Sequence, residues 1–135
     1  MAFATRTLRD DIVADLGSGA TSGGTVVVHF DHSSDSATTA AAVDASGLSG
    51  HANGAKLSIT RAWWGLAGSV EIQFKGASAD THAIRLAGTG AYTAGPAIKN
   101  GATNGTATSG DLETVAAAAT GFIILELRKD ASFTA

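Results

Sequence analysis

The string His29-Phe30-Asp31-His32-Ser33-Ser34-Asp35 gathers the residue types of a hydrolytic triad within a few positions. A triad, however, needs its nucleophile, base and orienting acid to converge from separate elements. These residues are neighbours at the end of a β-like run, and no Gly-x-Ser-x-Gly elbow accompanies them. The expected role of the string is turn formation, so no catalytic residue is assigned. Metal binding is the other chemistry open to it: His29 and Asp31 share a strand face, and Asp35 and Asp44 are close in sequence. Calcium needs six to eight oxygens and zinc a third and fourth ligand. The chain has no EF-hand loop, and only His32, His51 and His82 remain as further imidazoles. No metal and no cofactor is therefore expected. Gly88-Thr89-Gly90 follows a strand-like run but lacks the third glycine, the helix and the downstream acid of a dinucleotide loop.

Trp63-Trp64 is the remaining feature with functional content. Neighbours in a strand point to opposite faces, so if Trp63 joins Leu57 and Ile59 in the core, Trp64 faces outward. Three readings of Trp64 stand: covered by a long loop such as 88–110, an anchor for a protein contact, or a sugar-stacking platform.

The elements that must position these residues read as strands. Lys56–Trp64 alternates apolar and polar residues, and after Gly65-Leu66-Ala67-Gly68 a second run sets Val70, Ile72 and Phe74 against Glu71, Gln73 and Lys75. The spacing predicts a β-hairpin turning at 65–68. Thr25–Phe30, His82–Leu86, Asp111–Val115 and Phe122–Lys129 read as further strands. Thr38–Asp44 reads as a short strand or a turn of helix, with the nearby β-branched residues favouring the strand. A weak strand is expected at 97–99 within a Gly/Asn-punctuated loop. In the last strand Ile123, Leu125 and Leu127 occupy one face while Phe122 and Ile124 occupy the other. A strand apolar on both faces is covered on both sides, by the core on one and by a loop or a neighbouring subunit on the other.

The 135 residues suffice for one domain with its own core. The expected fold is all-β: a sandwich or barrel-like module of seven to eight short antiparallel strands spanning residues 25–135. Residues 1–24 are expected to form an N-terminal arm and a Gly/Ser/Thr linker. Leu8, Ile12 and Leu16 recur there at helical spacing after a capping-box-like start at Thr7, so the arm is either a short helix or an extended segment.

Composition narrows the partners. The formal net charge is −3 with no basic stripe, which speaks against nucleic acid. No apolar run approaches the ~20 residues of a membrane-spanning helix, and the first residues lack a secretory h-region, so a soluble protein made in the cytoplasm is expected. Cysteine is absent, so thiolate chemistry is excluded. Charged residues make up only 16% of the chain against the usual quarter, which suits either a surface partly covered by another chain or a tightly packed, short-looped β protein, and the two are compatible.

The strings Thr25-Val26-Val27-Val28-His29-Phe30-Asp31, Ile59-Thr60-Arg61-Ala62-Trp63-Trp64, Val70-Glu71-Ile72-Gln73-Phe74, Gly110-Asp111-Leu112-Glu113-Thr114-Val115 and Phe122 to Lys129, in this order, resemble the small head proteins of tailed bacteriophages. The resemblance is to capsid decoration or cement proteins. It implies a non-enzymatic, frequently trimeric β module on the outer capsid surface of the virion, bridging subunits of the major capsid protein. Phe3, Leu8, Ile12 and Leu16 of the arm, Trp64, and Tyr92 in the 88–110 loop are the expected interface residues. The rival readings are a phage tail or fibre β module and a carbohydrate-binding β-sandwich.

Overall fold

The computed structural model describes residues 2–11, 24–76, 79–101 and 110–133. They form six strands, β1 (Ala2–Asp10), β2 (Thr25–Asp35), β3 (Thr38–Val43), β4 (His51–Phe74), β5 (Thr81–Tyr92) and β6 (Leu112–Phe133), with a short 3₁₀ turn at Ala45–Gly47. All belong to one antiparallel sheet ordered β1-β2-β6-β4-β5, with β3 also pairing β6. The all-β expectation holds, and no α-helix occurs among the described residues.

The strands are fewer and longer than the sequence predicts. The expected hairpin at 65–68 does not form: β4 runs 24 residues through these glycines, and β6 joins the expected strands 111–115 and 122–129 into one of 22 residues. The strand starting near His82 continues past Gly88 and Gly90 to Tyr92. Strands of this length would extend about 75–80 Å if straight, roughly twice the width of a domain of this size. They have to bend.

The bend is written in the backbone. Positive φ angles fall at Ser34 in β2, Ala118 and Gly121 in β6, Gly68 in β4 and Gly88 in β5. Register breaks lie at the same level: His32/Asp35 against Gly121/Ala119, Leu66/Ser69 against Gly88/Ala87, and Ala67/Ser69 against Thr120/Ala117. A β-bulge bends its strand and increases local twist, so breaks aligned across four adjacent strands make a fold line. The sheet halves on either side feed one core. Val26, Val28, Phe30, Leu57, Ile59, Leu125 and Leu127 come from one half, and Val70, Ile72, Phe74, Leu86 and Leu112 from the other.

Bulges also decide which side chains enter that core. The extra residue at Ala118 switches β6 from Leu112, Thr114 and Ala116 inward to Ala119, Ile123, Leu125 and Leu127 inward. In β4, Ile59 opposes Leu127 while Arg61 opposes Glu126, so Thr60 is the extra residue. The Thr60 hydroxyl donates to the Glu126 carbonyl at 3.0 Å and lies 2.9 Å from its carboxylate. One inserted residue exchanges the two faces of a strand. Ala62, Trp64 and Leu66 therefore point inward, and Trp63 points out. The placement of Trp63 in the core and Trp64 on the polar face is thus reversed. In β3, Ala42 and Val43 are buried while Ala41 is exposed.

The N-terminal segment is not a detached arm. Residues 2–10 form edge strand β1, paired with β2 from Ala2↔Ser33 to Asp10↔Val26. Phe3 packs on Phe30, with ring centroids 5.5 Å apart, and on His32 at 5.0 Å. At the other end the Lys129 ammonium, fully buried on β6, donates to Asp10 Oδ1 at 2.6 Å and to the Ser49 carbonyl at 3.0 Å. Asp10 also accepts the Ser49 amide. Burial acts to raise the Asp10 pKa, but Lys129 and Ser49 outweigh it and hold the carboxyl below its usual range. Ile12, Leu16 and the linker at 17–23 lie outside the described residues.

Candidate functional site

The triad-like string is split between the two faces of β2. His29 and Asp31 point outward, whereas His32 and Asp35 are buried. His32 Nδ1 lies 2.8 Å from Asp35 Oδ2, and the same carboxylate accepts the Ala37 amide at 2.9 Å. Burial raises the Asp35 pKa, yet the Ala37 amide and His32 bring it below the ordinary value, so the carboxylate serves as the acceptor of the hydrogen bond from Nδ1–H. The imidazole Nε2 is buried and meets no hydrogen-bond partner. Among the described residues no hydroxyl therefore stands where a nucleophile would, and Ser33 and Ser34 are exposed. The pair braces the fold line: between its members, the Ser34 amide donates to Thr120 Oγ1 at 2.9 Å.

The carboxylates proposed as metal partners do not converge either. Asp35 is turned inward, and Asp44 caps the 3₁₀ turn by accepting the Ser46 amide at 3.1 Å and hydroxyl at 2.6 Å. Among the described residues no group of three or more His, Asp or Glu is arranged to hold a metal ion.

A charged cluster that the sequence reading missed lies at the other end of the sheet. Glu71 on β4 receives His82 Nδ1 at 2.6 Å and Arg85 at 3.2 Å from β5. Hydrogen bonds from His82 and Gln73 hold the Glu71 carboxyl below its ordinary pKa. Beside it, Lys75 Nζ lies 3.5 Å from Glu113 Oε2 and 3.8 Å from Asp80 Oδ1. Burial first, and the neighbouring Asp80 carboxylate second, push the Glu113 carboxyl up. The pairing Gln73↔Glu113 creates this group, and it depends on β4 running through 65–68. Its chemistry is that of an ion-pair network tying β4 to β5 and β6.

The outward face of β2, β6 and β4 has a different character. Cross-strand register sets Arg6, His29, Ile124, Trp63 and Ala91 in one row and Ala4, Asp31, Phe122, Gly65 and Thr89 in the next. Phe122 lies across Gly65, where an added Cβ would stand 2.9 Å from its ring. It is 39% exposed, one of the two large apolar side chains most open to solvent among the described residues. His29, Ile124, Trp63 and Val27 are partly exposed around it. The centre of the face is thus aromatic and aliphatic. Its margin carries Arg6, Asp31, Arg61 and Glu126, the last two 3.6 Å apart. Apolar centres with polar margins are the usual build of a protein contact surface.

The expected interface residues distribute differently. Trp64 is partly buried against the core, its indole N–H donating to the Ala87 carbonyl at 3.0 Å and its ring lying over Gly90. Tyr92 also packs on the core, its hydroxyl donating to the Pro96 carbonyl. Phe3 is half-buried, and Leu8 is 46% exposed at the β1 register break between Thr7 and Arg9. The expected covering of a tryptophan by the 88–110 loop does not describe Trp64, since residues 88–92 pair beside it in β5. The expected strand at 97–99 is reduced to one bridge, Ile98↔Ile59. No family model, curated protein or solved structure matches this chain.

Proposed function

We propose that this chain is a non-catalytic structural module that binds other protein subunits through the outward face centred on Trp63, Ile124 and Phe122. The observation that carries the reading is that cluster of partly or largely exposed apolar side chains, on adjacent strands and ringed by charges of both signs. A rigid sheet presents such residues with little ordering cost, and tryptophan anchors dominate binding energy where they occur.

The narrower reading is capsid decoration in a tailed bacteriophage, on the outer surface of the virion and against the major capsid protein. It rests on the resemblance of the strand strings to such head proteins and on the low charge content of the chain. A small module of this kind stabilises a shell by binding the assembled form in preference to the open one. Many weak copies add up on a repeating lattice.

The test is co-sedimentation with capsid shells lacking this protein. Trp63→Ala and Phe122→Ser are expected to weaken binding at least about tenfold each while the protein stays folded. Unchanged binding by both would remove the face from the account. The carbohydrate-binding rival predicts quenching of Trp63 emission by sugars and no sedimentation with shells.

A further inference from the structure

We propose that β1 is an exchangeable strand, which at high local concentration leaves its own sheet and pairs in the same register with β2 of a second copy of this chain.

Among the described residues β1 is an edge strand whose ladder involves β2 alone. From Ala4 to Arg9 its side chains are exposed, so the middle of the strand contributes little burial. Its hold is concentrated at the ends, in Phe3 on Phe30 and His32, and in Asp10 on Lys129 and Ser49. Every one of those receiving groups belongs to β2, β6 or the segment after the 3₁₀ turn. A β1 supplied by another chain would meet the same groups in the same register.

The connection is long for what it joins. Antiparallel neighbours are usually linked by about two to five residues, whereas here β1 and β2 are separated by residues 11–24. That sequence, rich in Gly, Ser and Thr, spans at most about 50 Å when extended, enough to reach the sheet of an adjoining copy. Because exchange conserves the contacts, the balance is set by concentration. A strand on a short tether has an effective concentration of the order of millimolar. Dilute chains therefore close on themselves, and chains crowded on an array or in a closed ring exchange. Losing Asp10 would remove one charge-assisted hydrogen bond from the buried Lys129, which disfavours an open form and favours capture of any nearby β1.

This inference concerns the β1–β2 edge and needs no other protein, so its test on the purified chain is separate from the fate of the outward-face reading. Ala4 and Asp31 are directly opposed in the ladder, at a spacing of about 4.5–5.5 Å between Cα atoms that a disulfide accepts. The chain has no cysteine of its own. Chains carrying Ala4→Cys and chains carrying Asp31→Cys are mixed in equal amounts, incubated at ~1 mM and oxidised, and the bridged peptides are identified by mass spectrometry. The expected result is a mixed dimer bridged from position 4 to position 31, lost on dilution to micromolar protein before oxidation. One chain carrying both substitutions is the control, expected to bridge within itself when dilute. Internal bridging at every concentration with no mixed dimer would overturn the proposal. Failure of the control to bridge at all would also overturn it, because the pairing of Ala4 with Asp31 would then be wrong.

Discussion

Replacing Gly68 by alanine tests the fold line at its tightest point. Gly68 has φ +78°, and a Cβ there would stand 2.2 Å from the Ala118 carbonyl oxygen and 2.5 Å from that of Ala117. The left-handed backbone alone costs a non-glycine residue about 1–2 kcal/mol. The contacts are with backbone and cannot be relieved by a side-chain rotation, so β4 and β6 must separate locally and give up about 1–2 ladder hydrogen bonds. At about 1 kcal/mol each with their packing, the total is about 2–4 kcal/mol. Gly88 supplies the internal control, since it has φ +65° and no atom within 4 Å of an added Cβ. Gly88→Ala should pay the backbone cost only, about 1–2 kcal/mol. Urea unfolding of the three proteins followed by tryptophan emission gives both numbers, with unchanged slopes showing that the compared transitions are the same. If Gly68→Ala costs no more than Gly88→Ala, residue 68 is not pinned against β6, and a turn at 65–68 becomes the better description.

The two tryptophans should separate stability from binding: Trp64→Ala is expected to cost about 3–5 kcal/mol in denaturant unfolding and Trp63→Ala under about 1, and the reverse order would put the bulge at Thr60 in the wrong place. Asp10→Ala should destabilise the isolated protein by roughly 2 kcal/mol through the lost hydrogen bond to Lys129, whereas an N-terminal segment independent of the core would leave thermal unfolding unchanged. Asp10, Asp35 and Glu71 have lowered carboxyl pKa values, so their stabilisation is present above the unfolded values near 4 and is lost as pH falls through the folded ones. Glu113 has the opposite sign: its pKa is raised, so stability declines as pH rises above about 4.5, and Glu113→Gln should flatten that limb of the stability profile.

The alternation of apolar residues made the class of the fold readable, and it found most of the core: Ile59, Ile72, Phe74 and Leu125 are buried as the pattern implies. What it could not supply was continuity. A glycine at positive φ serves a hairpin turn and a bulge equally well, and Gly68 differs from a turn residue only through its approach to Ala117 and Ala118, some fifty positions away. Parity was lost for the same reason. Thr60 is an ordinary strand residue by type, and nothing local marks it as the one without a partner of its own, yet it decides which tryptophan faces out. The candidate face was half legible. The apolar Phe122 and Ile124 on the second side of the last strand signalled a covering surface, and one tryptophan was expected to lie outside the core. Their union into a single face depends on the pairings His29↔Ile124 and Trp63↔Ile124, which are long-range. The Lys129–Asp10 contact is similarly remote in sequence, which is why β1 reads as a free arm from its own residues alone.

The outward face at Trp63, Ile124 and Phe122 is the proposed protein-binding surface. The most direct measurement is hydrogen exchange of the protein bound to capsid shells compared with the protein free. Added protection is expected to concentrate on backbone amides of β2, β6 and β4 around residues 27–31, 61–65 and 122–126, beyond the slow exchange their ladders already give. Binding accompanied by protection confined to other regions, such as β5 and the 93–101 segment, would contradict it, as would the absence of any binding to shells or to a second protein.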